Sequence, residues 1–368
     1  MNRDDIKTKI ENPRGRGAAI NPANRFLKTQ TERDFEQVEH DEDFLQAAAH
    51  PKTEYLRDFT QSIVTENDSP DLPFRYSINP YRGCSHGCGY CYARPTHEYL
   101  GLSGGLDFET KIFVKEDAPA LLREFLAKPK WVPETIVMSG VTDPYQPAEA
   151  EFKITRGCLE VMLEARQPVS LITKNALILR DLDLLREMAA LRLVHAAISI
   201  TTLDRDFARD LEPRTSTPAA RLRTVRALAE AGVPVRVMVA PIIPGLNDSE
   251  IPAIPAILAA VAEAGATTAG YVMLRLPRSV KPVFLDWLSR VRPLAREKVE
   301  HLIQEMRGGK MNVSAWGERM RGTGPLAEQT SQFFKLFLRR HKLDRQIPPC
   351  DTSQFRPPQP ARGQMRLL

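Results

Sequence analysis

The sequence contains no run of about 18 consecutive apolar residues, the length that a membrane-spanning helix requires. Its first residues, MNRDDIKTKIENPRGRG, also lack the apolar core of a secretory signal peptide. Neither sign of charge dominates, because 51 Lys and Arg oppose 46 Asp and Glu and leave a net charge of +5. This excess is compatible with a polyanionic partner but does not require one. These absences predict a cytoplasmic protein without a membrane span.

Cysteine is also scarce, and its distribution does not suit a secreted disulfide scaffold. Three of the five cysteines, Cys84, Cys88 and Cys91, lie close together, whereas Cys158 and Cys350 stand alone. Clustered thiols in a reducing compartment indicate a metal site.

The chain is predicted to have four parts. Residues 1–70 are polar and charge-rich with little apolar periodicity, which indicates an extension that packs partly onto the main body. Residues 71–277 are predicted to form the main domain, and residues 278–345 a helical segment that closes its open side. Residues 346–368 are rich in proline and are predicted to form an extended tail.

Short apolar or β-branched runs alternate with stretches of helical periodicity from about residue 75. Six runs are predicted to be strands: 75–79, 135–139, 169–173, 193–201, 235–240 and 270–274. This alternation predicts an α/β fold with a parallel sheet, and six βα units make an incomplete barrel. One helix start is marked by Thr217, a capping residue, followed by Pro218. Beyond the sheet, one long helix is expected over 283–306 and a short strand over 311–316.

The strongest signal is the segment NPYRGCSHGCGYCYARPTHEYLGL, where the cysteines follow the first predicted strand with the spacing C-x3-C-x2-C. Strand ends carry the functional residues of a barrel, and Gly83, Gly87 and Gly89 allow the backbone to wrap three thiolates around one cluster. Three cysteine ligands leave one iron of a [4Fe–4S] cluster open, unlike an electron-transfer ferredoxin. The alternative is zinc with His86 or His97 as fourth ligand, although zinc cysteines usually come in separated pairs.

With the aromatic Tyr90 between its last two cysteines, this motif resembles the signature of the radical S-adenosylmethionine (SAM) superfamily. The segments SGVTDPYQPAE and ITKN are similar to those of the branch that contains spore photoproduct lyase. The resemblance implies a partial (β/α)6 barrel that binds a [4Fe–4S] cluster and SAM. It also implies reductive cleavage of SAM to a 5′-deoxyadenosyl radical that abstracts hydrogen, with an external reductant of the flavodoxin or ferredoxin type.

The resemblance implies cofactor contacts at the strand ends, namely from Tyr90, Ser139, Thr142, Asp143, Lys174, Ser199 and Gly245. The acceptors between Ser139 and Asp143 are expected to receive the ammonium of SAM, and Lys174 its carboxylate. Tyr92 is expected to lie near the radical path in a catalytic role. Ordinary alternatives remain: an Asp-Pro turn at Asp143, a solvated lysine, a buried hydroxyl at Ser199, an exit turn at Gly245 and simple packing of Tyr92.

One departure concerns the hydrogen donor. Photoproduct lyase uses an additional cysteine for this step, and this sequence has none between Thr135 and Asp143. Cys158 is predicted to be a buried residue on the apolar face of a helix instead. Cys350 falls in the tail.

Three features bear on the substrate and the partners. The branch suggests a nucleic-acid base and a role like DNA repair, and Gln364–Leu368 resembles the peptides that bind the sliding clamp. Arg319 and Arg321 lie in a glycine-rich loop that suits a phosphate or carboxylate, or else a structural salt bridge. The alternative function is an iron–sulfur redox or binding module that does not cleave SAM.

Overall fold

The computed structural model describes residues 13–29, 49–248 and 253–359 of the chain. These residues contain ten strands: β1 (Glu54–Arg57), β2 (Val64–Glu66), β3 (Tyr76–Ile78), β4 (Tyr81–Arg82), β5 (Lys111–Val114), β6 (Ile136–Met138), β7 (Val169–Thr173), β8 (Val194–Ser199), β9 (Val235–Ile242) and β10 (Thr268–Met273). Outside the described residues lie 1–12, 30–48, 249–252 and 360–368, and with them the clamp-like Gln364–Leu368.

Seven of these strands form one open, twisted sheet in the order β2-β3-β6-β7-β8-β9-β10. In this sheet β3, β6, β7, β8, β9 and β10 pair parallel with one another in that order, and β2 pairs antiparallel with β3 at one edge. All six predicted strands are confirmed, as β3 and β6 to β10. The fold is therefore α/β with an incomplete barrel, because β2 and β10 remain as two edges.

Helices occupy the connections between the strands. The described residues contain α1 (Asp107–Thr110), α2 (Ala118–Leu126), α3 (Ala148–Phe152), α4 (Ile154–Glu164), α5 (Leu182–Ala190), α6 (Arg205–Leu211), α7 (Pro218–Glu230), α8 (Ala253–Glu263), α9 (Val280–Val291), α10 (Arg296–Glu305) and α11 (Gly324–Arg340), with 3-10 turns at Arg94–Leu100, Ala176–Asp181 and Pro293–Ala295. No helix in these described ranges is long and apolar enough to cross a membrane.

The hydrophobic core lies between the sheet and the helices. Leu171 of β7, Ile198 of β8 and Val237 of β9 are buried there together with Leu228 of α7. Cys158 of α4 is fully buried in the same core, which confirms the prediction made for it. Because side chains alternate between the two faces of a strand, small residues such as Ser199 point to the opposite, concave face.

The polar N-terminal region contributes two strands. β1 and β2 both fall within residues 1–70, and β1 joins β5 and β4 in a small second sheet. All four residues of β1 are exposed. The strand therefore shows no apolar periodicity in the sequence, although its backbone is paired with β5.

Two expectations for the C-terminal region are wrong. The single helix expected over 283–306 is two helices, α9 and α10, separated by a 3-10 turn that begins at Pro293. Proline interrupts the helix because it has no N–H to donate and its ring clashes with the preceding turn. Residues 311–316 form no regular strand and belong to a loop.

That loop, residues 311–323, spans the open side of the sheet and is called the strap below. At one end, the backbone N–H of Met273 in β10 donates to the carbonyl of Met320 at 2.9 Å. At the other end, Asp71, between β2 and β3, accepts hydrogen bonds from the Gly317 N–H at 2.7 Å and from Arg319 at 2.6 Å. Two roles were considered for Arg319, binding of a phosphate or carboxylate and a structural salt bridge. The structure shows the salt bridge.

The proline-rich tail runs across the amino ends of the strands. The N–H of Asp351 donates to the carbonyl of Arg192, just before β8, and that of Arg356 to the carbonyl of Ala165, before β7. The tail therefore lies at the end of the sheet opposite to the carboxyl ends of the strands.

The cap of α7 provides a test of the helix boundaries. The Thr217 hydroxyl accepts a hydrogen bond from the Ala220 N–H at 3.3 Å, as the Thr-Pro pair predicts. Thr217→Ala should lower the free energy of unfolding by about 1 kcal/mol because that N–H loses its partner. Urea unfolding followed by circular dichroism measures the change, and Thr217→Ser, which keeps the hydroxyl, should lie close to wild type. Equal stability of the Ala variant and wild type would contradict the cap.

Candidate functional site

The three clustered cysteines lie in one loop between β4 and the turn at Arg94–Leu100. All three are free thiols; Cys84 and Cys88 are buried and Cys91 is half-buried. The loop bends at Gly83 and Gly87, whose φ angles of 77° and 69° lie in the left-handed region that favours glycine. A Cβ at Gly87 would also come within 2.9 Å of a Glu109 carboxylate oxygen. The sequence therefore folds the three thiols around a common space.

A buried ion pair between Arg94 and Glu109 supports this loop. The Arg94 guanidinium lies 2.5 Å from Glu109 and donates to the carbonyl of Cys88 at 2.8 Å. Glu109 in turn accepts hydrogen bonds from the N–H groups of Gly17 at 3.1 Å and Ala18 at 2.8 Å. The pair thus fixes the backbone of one cysteine and secures the N-terminal segment beside it.

The donor set of the loop fits an iron–sulfur cluster. Burial raises the pKa of each of the three thiols, Cys84, Cys88 and Cys91, so the thiolate forms need a nearby positive charge. The irons of a [4Fe–4S] cluster would supply it, and Cys84, Cys88 and Cys91 would be its ligands. Across the described ranges, no group of three or more His, Cys, Asp or Glu side chains is arranged to hold a single metal ion.

Both histidines of the zinc alternative have partners within the protein. His86 has one ring nitrogen 3.4 Å from Asp143 and the other 3.1 Å from the amide of Asn175. His97 contacts the carbonyl of Lys111 through Nε2 at 3.0 Å and packs edge-on against Phe108. Burial lowers the pKa of both imidazoles, which favours neutral rings.

Asp143 connects the segment after β6 to the end of β7. One carboxylate oxygen accepts from the Thr173 hydroxyl at 2.6 Å and the Tyr145 N–H at 2.9 Å, and the other from the Lys174 N–H at 2.8 Å. With His86 also near it, this carboxylate joins two strand ends to the cysteine loop. The contacts place Asp143 beside the site and occupy its oxygens with protein donors.

The other two polar residues of that segment are held by the backbone. The Ser139 hydroxyl donates to the carbonyl of Thr142 at 3.1 Å, and the Thr142 hydroxyl donates to the carbonyl of Tyr81 at 3.3 Å. Asn79, at the end of β3, accepts from the Val141 and Thr142 N–H groups at 3.0 and 3.3 Å. The segment is therefore a shaped turn against the start of the cysteine loop.

Lys174 and Tyr90 meet at a buried carboxylate, Glu212. This side chain accepts from the Tyr90 hydroxyl, from Thr201 at 2.5 Å and from Arg221 at 2.5 Å, and Lys174 lies 3.5 Å away. Burial alone would raise the pKa of Glu212, but Arg221 and Lys174 outweigh it and lower the pKa to about 2. The carboxylate is thus charged and orients the tyrosine that lies between two cysteines.

Three further predicted residues have different surroundings. Ser199 is buried on β8, and its carbonyl accepts from Arg221 at 3.0 Å. Gly245 lies in a turn after β9 with φ of 81°, and a Cβ there would approach Leu302 of α10. Tyr92 is 49% exposed and its hydroxyl donates to the carbonyl of Gly140 at 2.5 Å. Tyr90, Lys174, Asp143 and the cysteines are therefore joined by direct contacts, whereas Gly245 faces α10.

The buried charged residues that support the site, Glu212, Arg94 and Glu109, have no recognisable pattern in the sequence. Glu212 lies 122 residues from Tyr90 along the chain, and Arg94 lies 15 residues from Glu109. No local spacing marks either contact. Asn79 carried a weak signal, since it is a polar residue at a strand end directly before the cysteine motif.

Part of the chain is similar to proteins of a known family. Residues 78–254 match the model of the radical SAM superfamily. Uncharacterised proteins of Mycobacterium bovis and Mycobacterium tuberculosis are 43% identical over 222 residues, which is 60% of this chain and 65% of theirs. An uncharacterised protein of Methanocaldococcus jannaschii is 32% identical over 48% of this chain and 63% of its own. The chain therefore spans somewhat less than two thirds of these relatives.

Solved structures of spore photoproduct lyase have a similar fold. A double mutant with bound AdoMet and dinucleoside spore photoproduct aligns over 78% of both chains with a TM-score of 0.56 and 18% identity. A single mutant aligns over 87% of this chain and 86% of its own with a TM-score of 0.57 and 16% identity. At this identity the likeness concerns the fold alone.

The charge of Glu212 can be tested directly. Glu212→Gln leaves Arg221 and Lys174 without their buried counter-charge, so the free energy of unfolding should fall by about 3–5 kcal/mol. The double variant Glu212→Gln, Arg221→Met removes one of the uncompensated charges and should recover part of the loss. Anaerobic urea unfolding measures both, and a loss below about 1 kcal/mol in the single variant would contradict the network.

Proposed function

We propose that the radical SAM domain of this chain, residues 78–254, is a SAM-cleaving enzyme whose cluster is held by Cys84, Cys88 and Cys91. The observation that carries the proposal is the single glycine-shaped loop with three free, largely buried thiols beside the strand ends of an open parallel sheet. When bound, a [4Fe–4S] cluster and SAM supply one-electron cleavage of SAM to a 5′-deoxyadenosyl radical, which takes a hydrogen atom from the substrate.

The chain's own contribution is to hold and orient. Three thiolates leave one iron without a protein ligand, and that position suits the amino and carboxylate groups of SAM. Lys174 has three N–H donors and uses one toward the carbonyl of Ala240 at 3.2 Å and one toward Glu212 at 3.5 Å. The third donor would be available to the carboxylate of SAM. Glu212 keeps the ammonium of Lys174 in place and holds the hydroxyl of Tyr90, and Tyr90 would contact the adenine of SAM.

The remaining predicted contacts belong to the same proposal. The turn of Ser139 and Thr142 receives the ammonium of SAM, with Asp143 as the group that fixes this turn to β7. Ser199 approaches the ribose from β8, and Gly245 lets the backbone near the adenine. Tyr92, directly after the last cysteine, lies on the radical path.

The proposed substrate is a nucleic-acid base, in a reaction like DNA repair. The support is the shared fold with spore photoproduct lyase, whose structure holds a dinucleoside photoproduct. The absence of a cysteine between Thr135 and Asp143 requires a different hydrogen donor. An external reductant of the flavodoxin or ferredoxin type delivers the electron, and Gln364–Leu368 is the proposed clamp-binding peptide.

The alternative is an iron–sulfur redox or binding module that does not cleave SAM. It requires a fourth protein ligand, for which His86 and His97 are the nearest candidates in sequence. The contacts of His86 with Asp143 and Asn175 and of His97 with Lys111 favour the open iron.

Anaerobic assay of 5′-deoxyadenosine tests the proposed function. Protein reconstituted with iron and sulfide, reduced with dithionite and given SAM should form 5′-deoxyadenosine, and Cys88→Ala should lose it together with the cluster. Cys158→Ala is the matched control, because Cys158 is buried in the core away from the loop.

Two results would decide against the enzyme. One is a fully loaded cluster that forms no 5′-deoxyadenosine, and the other is an electron paramagnetic resonance spectrum that SAM leaves unchanged. Both would favour the redox or binding module.

Lys174 provides a second test. Lys174→Met keeps the length of the side chain but removes its charge, so the affinity for SAM should fall roughly tenfold or more while the iron content stays at wild-type level. Isothermal titration of cluster-loaded protein measures the affinity. Lys281→Met, on the exposed surface of α9, is the control. An unchanged SAM affinity in Lys174→Met would contradict the assignment.

A further inference from the structure

Arg275 lies at the mouth of the half-barrel, two residues after β10. Its neighbours in sequence are buried, and their backbones are fixed. The Leu274 N–H donates to the carbonyl of Ile242 at 2.9 Å, and the Leu276 N–H to the side chain of Asn312 at 3.0 Å. Arg307 also donates to the carbonyl of Leu274 at 2.8 Å. The chain therefore holds Arg275 firmly at its backbone.

The guanidinium of Arg275 is only weakly bound by the protein. It lies over the ring of Tyr92, 5.4 Å from the centroid, and donates to the sulfur of Met320 at 3.6 Å. Among the described residues, no carboxylate or carbonyl oxygen accepts a hydrogen bond from it. A guanidinium has five N–H donors, and those of Arg275 that no protein oxygen accepts remain open to solvent or to a ligand.

The neighbouring arginines do have oxygen partners. Arg319 is bound to Asp71 at 2.6 Å, and Arg307 to two backbone carbonyls, those of Glu318 and Leu274. Asp71 also accepts the Gly317 N–H, so the nearest carboxylate is already engaged by the strap. Burial and the charge of Arg319 both lower the pKa of Arg275, as expected where positive charges share one carboxylate.

The position of this side chain connects it to the reaction centre. Tyr92, whose ring it covers, follows the cluster ligand Cys91, and the Tyr92 hydroxyl reaches the carbonyl of Gly140 after β6. Arg275 thus lies beside Tyr92, which contacts the turn after β6, and beside Met320 of the strap. An anion bound there would lie at the entrance through which a substrate approaches the radical.

We propose that Arg275 binds an anionic group of the substrate, a phosphate or carboxylate, at the mouth beside Tyr92. The proposal rests on the proposed function, since it places a substrate at the radical site, and it narrows the substrate class to anionic molecules. Arginine suits this role because its planar guanidinium binds two oxygens of one anion at once. The carboxylate of SAM is the other source of such a group, and the test separates the two.

The test measures binding without turnover. Cluster-loaded protein saturated with SAM is titrated with inorganic phosphate, followed by ³¹P nuclear magnetic resonance. Wild type and Arg186→Gln, a variant of an exposed arginine on α5 away from the mouth, should bind phosphate equally. Arg275→Gln should bind it roughly tenfold to a hundredfold more weakly, and Arg275→Lys should fall between. The SAM affinity of each variant is measured in parallel.

Three results would overturn the proposal. Absence of phosphate binding by wild type is one, and equal binding by Arg275→Gln is another. A loss of SAM affinity in Arg275→Gln would assign the anion to the cofactor instead. Should Arg275→Gln unfold, the charge-preserving Arg275→Lys still reports through its phosphate affinity relative to Arg186→Gln. Failure of SAM cleavage is a separate observation, because phosphate binding is read without any 5′-deoxyadenosine.

Discussion

The buried ion pair between Arg94 and Glu109 is the interaction on which the rest of the site depends. Neither side chain is exposed, so each charge would cost several kcal/mol without the other. The same two groups also satisfy the carbonyl of Cys88 and the N–H groups of Gly17 and Ala18. A distant N-terminal segment and the cysteine loop are therefore held by one pair of charges, and neither can shift without leaving a buried charge or amide unpaired.

Most of the sheet was predictable because its strands are short apolar runs separated by helices of clear periodicity. β7 and β8 coincide almost residue for residue with the predicted 169–173 and 193–201. β1 was not predictable, since its side chains are exposed and its stability comes from backbone pairing with β5. The helix expected over 283–306 failed at Pro293, where apolar periodicity continues across a residue that interrupts the hydrogen-bond ladder.

In the candidate site, too, some residues were predictable from the sequence and others were not. That the three cysteines share one loop was predictable, because they are close together in the sequence and glycines stand where the backbone must bend. Lys174 was found at a strand end, but its partner Glu212 was not, because a contact between residues on different βα units leaves no local pattern. Arg275 was missed for the same reason, since its significance lies in the partners that it lacks among the described residues.

The strap changes how a molecule can reach the interior. A complete barrel is continuous around its circumference, so a long chain can enter only by passing a free end through one of its two rims. Here the strap spans the gap between the edges β2 and β10. On the β2 side it is attached by hydrogen bonds to Asp71. The wall on this side is therefore closed by a loop and not by paired strands, so that a movement of the loop alone would admit the middle of a polymer broadside, with both of its ends remaining outside.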